Sequence, residues 1–297
     1  MFVGRHAVYC DVPRLVIESR LFLCQPHRLF LLRTSAPRRA PRDKPIAPGA
    51  DRVPDYARDG YVTAIPVVDS QAAAAYRAAF DALAAREGRD ASQIGLLDRH
   101  FTDEFIWRLA SHRTVLDSVE SLLGPDVLLL ATHVFCKYGE PTGRKFVAWH
   151  QDVTYWGLEP PMALTAWYAI DDADTENGCM RVIPGSHLHG VLDHGTAEAE
   201  GNLLSINQEV AVSTADVQRA EDIVLRAGHM SLHHGQLVHG SLPNRSSRRR
   251  AGLTIRYITP DVRQTERNSY GRGWRPVLVR GSDRHGHFDI CDRPFAG

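Results

Sequence analysis

Two side chains suited to holding a metal ion stand two residues apart in Trp149-His150-Gln151-Asp152. Imidazole offers a nitrogen lone pair and carboxylate offers charged oxygens, a mixed donor set that borderline transition metals accept. On a strand, positions i and i+2 share a face, so His150 and Asp152 are expected to reach one ion while Gln151 points away. Two ligands of the two-histidine, one-carboxylate facial triad of non-haem iron(II) are commonly delivered this way, and the third must come from elsewhere. An isolated pair of this kind carries little weight, because histidine and aspartate fall two apart by chance in many proteins.

Far downstream, Leu237-Val238-His239-Gly240-Ser241-Leu242-Pro243-Asn244 closes a strand-like run, and Arg248-Arg249-Arg250 precedes a strand that contains Arg256-Tyr257. The order is histidine, carboxylate, distant histidine, then arginine. His233 and His234 lie close to His239 and compete with it as ligands. A second cluster, His187, His189 and His194, follows the Pro184-Gly185-Ser186 turn and is expected on a solvated loop. The basic run from Arg245 to Arg250 reads as a solvated turn in a neutral chain. Arg248 and Arg249 are expected to face solvent, and Arg256 to face inward, binding an anion or supporting Arg250. Lys137, Tyr155 and Trp156 are candidates for a cavity wall.

These residues need elements to carry them. Asp69 or Ser70 caps an alanine-rich helix that runs to Arg86 and closes at Gly88, and a short run from Gly60 to Val68 precedes it. Thr102 to Leu109 and Ser111 to Leu123 read as two more helices, the second with Val115, Leu116, Val119, Leu122 and Leu123 on one face and Gly124-Pro125 as its stop. Beyond that the period changes. Val127 to Tyr138, Met162 to Ile170, Asp222 to Leu225, His229 to His234 and Leu253 to Ile258 are short β-rich runs between turn signals such as Glu176-Asn177-Gly178, a spacing that indicates a sandwich or barrel. No period of a repeat architecture recurs.

Composition sets the outer bounds. The 297 residues carry 35 Lys+Arg and 35 Asp+Glu, so the basic field that nucleic-acid binders need is missing. No stretch reaches the ~18 consecutive apolar residues of a membrane span. Five cysteines (Cys10, Cys24, Cys136, Cys179 and Cys291) show no paired ligand spacing and are expected to be reduced thiols in a cytoplasmic protein. Residues 1–50 lack sustained periodicity and end in a Pro- and Arg-rich stretch, which reads as an extension or linker ahead of a single domain over 51–297.

From about Asp55 onward the chain resembles the phytanoyl-CoA dioxygenase family of iron(II)- and 2-oxoglutarate-dependent oxygenases, through WHQD, NGCMRVIPGSH (Asn177 to His187) and HGSLPNRSSRRR (His239 to Arg250). Its wording is closest to the branch that also holds the syringomycin-type aliphatic halogenases, in which alanine replaces the triad carboxylate; here Asp152 is present. The resemblance implies a mainly β fold with flanking helices, a double-stranded β-helix or cupin-like jelly roll. It implies His150, Asp152 and His239 as iron ligands, favouring His239 over its two neighbours. Arg250, eleven positions after His239, matches the arginine that grips the distal carboxylate of 2-oxoglutarate, a bidentate task suited to guanidinium. Ser241 matches a weaker co-substrate contact and Trp167 an aromatic in the cavity wall. The expected activity is oxidation of a small organic substrate with 2-oxoglutarate and dioxygen as co-substrates, by default a hydroxylation and alternatively a desaturation, epoxidation or ring closure. A substrate tethered to a carrier protein suits the family, and a role in secondary metabolism is the expected setting. The non-enzyme alternative is a metal-binding cupin sensor, against which the Arg250 clamp argues.

Overall fold

The structure, a computed structural model, describes residues 52–196, 200–204, 208–268 and 271–295. The extension read over residues 1–50 lies outside the described residues. In chain order the strands are β1 (Tyr61–Pro66), β2 (Val127–Lys137), β3 (Val147–His150), β4 (Leu158–Glu159), β5 (Leu164–Ala169), β6 (Met180–Val182), β7 (His194–Thr196), β8 (Gln208–Val210), β9 (Glu221–Ile223), β10 (His229–His234), β11 (His239–Ser241), β12 (Arg250–Ile258), β13 (Arg263–Gln264) and β14 (Val277–Arg280). An antiparallel sheet in the order β1-β10-β5-β12-β2-β14 forms the major layer, and β3-β11-β6-β9 forms the minor one. Two antiparallel layers whose neighbours are distant in sequence make the double-stranded β-helix, the expected fold.

The central strand β12 shows why this sequence builds a two-faced wall. Its alternate residues Ala251, Leu253, Ile255 and Tyr257 enter a large apolar cluster with Phe80, Leu83, Ile106, Leu109, Val115 and Val119. Those partners come from the helices α2 (Ser70–Glu87), α3 (Glu104–Ala110) and α4 (Arg113–Leu123). The other parity, Arg250, Thr254 and Arg256, lines a cavity. Every residue of β12 is buried, so both faces are covered and the period-2 signal lies in residue chemistry instead of exposure. The Tyr257 hydroxyl donates to the Ala110 carbonyl at 2.6 Å, tying the last turn of α3 to the sheet.

Local signals account for the helix ends. The Asp69 carboxylate accepts from the Ala72 amide at 2.8 Å, as the capping position predicts. α4 begins two residues later than expected, because His112 takes the cap and its Nδ1 accepts from the Thr114 amide at 3.3 Å. Strand β12 begins at Arg250 and not at Leu253, so the basic run does not end in a turn but continues into the sheet.

Candidate active site

His150 ends β3 and His239 opens β11, and the two are direct register partners across the minor sheet. Their rings stand 4.1 Å apart. Each Nδ1 donates to the carbonyl two residues back in its own chain, His150 to Ala148 and His239 to Leu237, both at 2.9 Å. A carbonyl can only accept, so both rings carry their proton on Nδ1 and keep a lone pair on Nε2. Second-layer bonds of this kind fix the tautomer and aim of metal-binding histidines. Burial, reinforced at His239 by its histidine neighbours, holds both imidazoles below their ordinary pKa and hence neutral, the form that binds metal.

The shared-face expectation for Asp152 needs correction. The strand stops at His150, Gln151 is extended, and Asp152 opens a 3-10 turn over Asp152–Tyr155. The turn still brings the carboxylate back, and ligand atoms of His150, Asp152 and His239 lie within 4.8 Å of one another. Among the described residues this is the one such cluster of histidine, cysteine and acidic side chains. Gln151 does point away, into the minor layer's packing. Its Nε2 donates to the carbonyls of Gly190 and Gln236 at 2.8 and 2.6 Å, and its Oε1 accepts from the Leu192 amide at 2.7 Å.

Asp152 is held from both sides. Its Oδ2 accepts from Thr165 Oγ1 at 2.8 Å and lies 3.4 Å from His233 Nε2, while Oδ1 lies 3.7 Å from an Arg256 nitrogen and 3.8 Å from His150 Nε2. Burial would raise this carboxyl, yet the Arg256 guanidinium and the adjacent His233 imidazole outweigh it and hold the group well below the usual carboxylate range. Two neutral imidazoles beside a fixed carboxylate, all buried, form a donor set that fits a divalent transition metal.

Arg250 is 3% exposed, with its Nε lacking a hydrogen-bond partner, and no carboxylate lies within ion-pair distance among the described residues. Burial pushes its pKa down to about 10. A buried cation without an anion is costly, and a guanidinium that lines a cavity has the chemistry to receive one. Its carbon lies 5.4 Å from the centre of the Trp167 ring. That stacking depends on Gly252, where an added Cβ would stand 2.0 Å from an atom of the Trp167 indole. Ser241 lines the same cavity, and its hydroxyl accepts from the buried Lys137 ammonium, which burial and the nearby Arg250 charge hold well below its ordinary pKa.

Several expectations about neighbouring residues change. Arg249 does not face solvent: it grips Asp171 through two nitrogens at 2.8 and 3.0 Å and Asp81 through a third at 2.6 Å. Arg248 is exposed, as expected, and pairs with Asp174 and Glu176. His187 is buried against His234, with ring centres 5.3 Å apart, and His194 meets the Gln151 amide, so only the exposed His189 fits the solvated loop. Of the competing histidines, His234 accepts from the Gln236 amide, remote from the cluster, whereas His233 contacts Asp152 directly. Lys137 lies behind Ser241 and not in the main cavity wall, Trp156 lies in that wall, and the Tyr155 side chain is outside the described residues.

The cavity measures about 380 Å³. Arg256 lines it, facing inward as expected, and besides the residues expected from sequence it is lined by Thr254, Asp98, Phe101, Arg272 and Trp274. The Thr165 contact to Asp152 was within reach of the same two-residue parity that places Trp167. Phe101 ends a short 3-10 turn (Arg99–Phe101), Arg272 and Trp274 come from a loop, and none of the three lies on a barrel strand or carries a periodic signal.

A double-stranded β-helix with this buried His-Asp-His cluster defines a jelly-roll protein built around a candidate metal centre. The family model for phytanoyl-CoA dioxygenase (PhyH) matches residues 56–252, and the chain belongs to that family. It is 29% identical over 163 residues to a Stutzerimonas stutzeri protein named as a probable alpha-ketoglutarate-dependent hypophosphite dioxygenase, covering 55% of this chain and 56% of that protein. The chain spans about half the length of the curated relatives it matches. Among solved structures it superposes on the non-heme monooxygenase ThoJ with a TM-score of 0.67 at 32% identity, covering 82% of this chain and 88% of that one. It also superposes on the epimerase SnoN, solved with Fe3+, alpha ketoglutarate and nogalamycin RO, with a TM-score of 0.60 at 27% identity over 72% of this chain and 85% of that one. Among the described residues no helix is long and apolar enough to cross a membrane.

Proposed function

We propose that the chain is an iron(II)- and 2-oxoglutarate-dependent dioxygenase that hydroxylates a small organic substrate. The observation that carries this reading is the pairing, in one cavity, of the His150, Asp152 and His239 cluster with the unpartnered buried cation of Arg250. In this reading the three side chains hold the metal and Arg250 binds the distal carboxylate of the keto acid. Ser241 adds a hydroxyl contact, and the Trp167 indole walls the chamber. Iron(II) chelated by 2-oxoglutarate supplies dioxygen activation, coupling oxidative decarboxylation of the keto acid to succinate with oxidation of a substrate C–H bond. The chain's own part is to keep both imidazoles neutral, to keep Asp152 ionised beside Arg256, and to exclude water by burial. Residues 51–297 constitute the oxygenase domain in this proposal, with 1–50 as an extension, and a chain that starts at residue 51 is expected to fold and bind metal.

The test is an anaerobic titration with iron(II) and 2-oxoglutarate, read by the weak visible charge-transfer absorption of a chelated keto acid. Its appearance at one iron per chain supports the reading, and its absence at saturating ligand rejects it. Retention of Asp152 favours oxygen over halogen transfer, since a tethered carboxylate fills the coordination position a halide would need. Turnover in molar chloride under ¹⁸O-labelled dioxygen is expected to give a product that gains one labelled oxygen, and a chlorinated product would refute this.

A further inference from the structure

The strand β12 places one buried arginine at each end of its cavity face, Arg250 and Arg256, six residues or about 20 Å of strand apart. The Arg250 end is enclosed. The other end opens through half-buried Trp274 and the exposed Arg272. There Arg256 stacks 4.9 Å from the centre of the Trp156 ring, its Nε has no hydrogen-bond partner, and it is 9% exposed. Trp156 meets Trp274 edge to face at 6.0 Å, and the Trp274 indole nitrogen donates to the Trp156 carbonyl at 2.8 Å, so the two rings form one fixed wall. Phe101, 37% exposed, lines the same mouth.

Charge decides what this mouth receives. The cavity lining carries four arginines, Arg250, Arg256, Arg272 and Arg275, and two aspartates, Asp98 and Asp152. A bound iron(II) dication and a 2-oxoglutarate dianion cancel, which leaves the lining's surplus of two positive charges. Arg275 lies 3.5 Å from Asp289, a surface pair that offsets one of them. One positive charge therefore remains at a mouth walled by aromatic rings, whose low-dielectric faces focus its field. Arg272 is the group that carries it toward a ligand: among the described residues its guanidinium has no ion-pair or hydrogen-bond partner, and Asp98 acts on it only at longer range.

We infer that the substrate is a small monoanion with a flat ring system, its ring held against Trp156 and Trp274 and its anionic group received by Arg272. The inference rests on the iron(II)/2-oxoglutarate reading, because the charge balance includes both. The shared space, about 380 Å³, lies near the lower end of the ~300–1,000 Å³ typical of ligand pockets, so with the keto acid in place it accommodates a one- or two-ring compound and not a long acyl chain with a nucleotide head.

The test uses the full chain with iron(II) and saturating 2-oxoglutarate under anaerobic conditions, titrated calorimetrically with 2-naphthoate, 2-naphthamide and 2-naphthylmethylammonium. Naphthoate is expected to bind at least tenfold more tightly than either analogue. Arg272→Gln, an exposed substitution that leaves the core untouched, is expected to erase most of that preference while leaving naphthamide binding unchanged; Trp274→Phe is expected to weaken naphthoate and naphthamide alike. Equal binding of the three probes, preference for the ammonium, or an unchanged preference in Arg272→Gln would overturn the inference. So would naphthoate binding that is lost as 2-oxoglutarate saturates, since that places the probe on Arg250. Failure of the underlying reading is separate: it shows as the absence of the keto-acid charge-transfer band before any probe is added.

Discussion

The two sheets divide the work of the cavity unequally. The major sheet offers β12, nine residues long and backed by three helices, and from it come Arg250, Gly252, Thr254 and Arg256. The minor sheet offers β3 and β11, four and three residues long, and from their ends come His150 and His239. The two buried arginines thus ride on a layer stiffened by packing, while the two histidines of the candidate metal centre ride on short strands stiffened by hydrogen bonds. The Nδ1 contacts of the two histidines and the three bonds of the Gln151 amide do for the minor sheet what the helix layer does for the major one. Short strands can carry a precise site when side chains tie their ends to neighbouring backbone.

The sharpest break of that comparison is His150→Ala or His239→Ala, each expected to abolish the keto-acid absorption band at any iron concentration. His233→Ala and His234→Ala are expected to keep it, and the reverse pattern would move the ligand set. Arg250→Ala is expected to raise the 2-oxoglutarate requirement by ~10²-fold, on the order of 2–3 kcal/mol for a charge-assisted bidentate contact, with iron binding intact. If Arg256→Ala has this effect and Arg250→Ala does not, the clamp sits at the other end of the strand. One step along β12, Leu253→Ala removes a side chain that is 0% exposed on the helix side. It is expected to cost about 2–5 kcal/mol of stability in a denaturant titration while leaving 2-oxoglutarate affinity unchanged. The smallest effect is expected at the seam between the sheets: Thr165→Val removes a hydrogen bond to Asp152 and is expected to weaken iron binding by about tenfold. Unchanged iron affinity in Thr165→Val would show that the major sheet does not orient the minor sheet's ligands.

The division also explains what could be read from sequence. The alternation in Leu253 to Ile258 and the face of α4 were legible because packing imposes a period on them. His150, Asp152 and His239 were legible through spacing and wording, although the local geometry differs: a strand end followed by a turn does what a continuous strand was expected to do. Arg249 was misread because Asp171 and Asp81, its partners, lie 78 and 168 positions away. His187 was misread for a similar reason, since a proline-glycine turn says nothing of the distant His234 ring that covers it. Arg272 and Trp274 stayed invisible because a loop that folds over a cavity mouth obeys no period.

The absence of a side chain at Gly252 has a consequence for how this chamber can change. Because the Trp167 indole already fills the volume a Cβ would take, any larger residue at 252 must displace the ring from its stack on Arg250. Trimming Trp167 would enlarge the chamber at a cost of about 3–5 kcal/mol, whereas building from the strand would evict the aromatic wall first. The depth of the enclosed end is therefore adjustable in one direction only. A variant meant to hold a shorter ligand at this end would have to gain that preference from residues on the opposite side of the cavity.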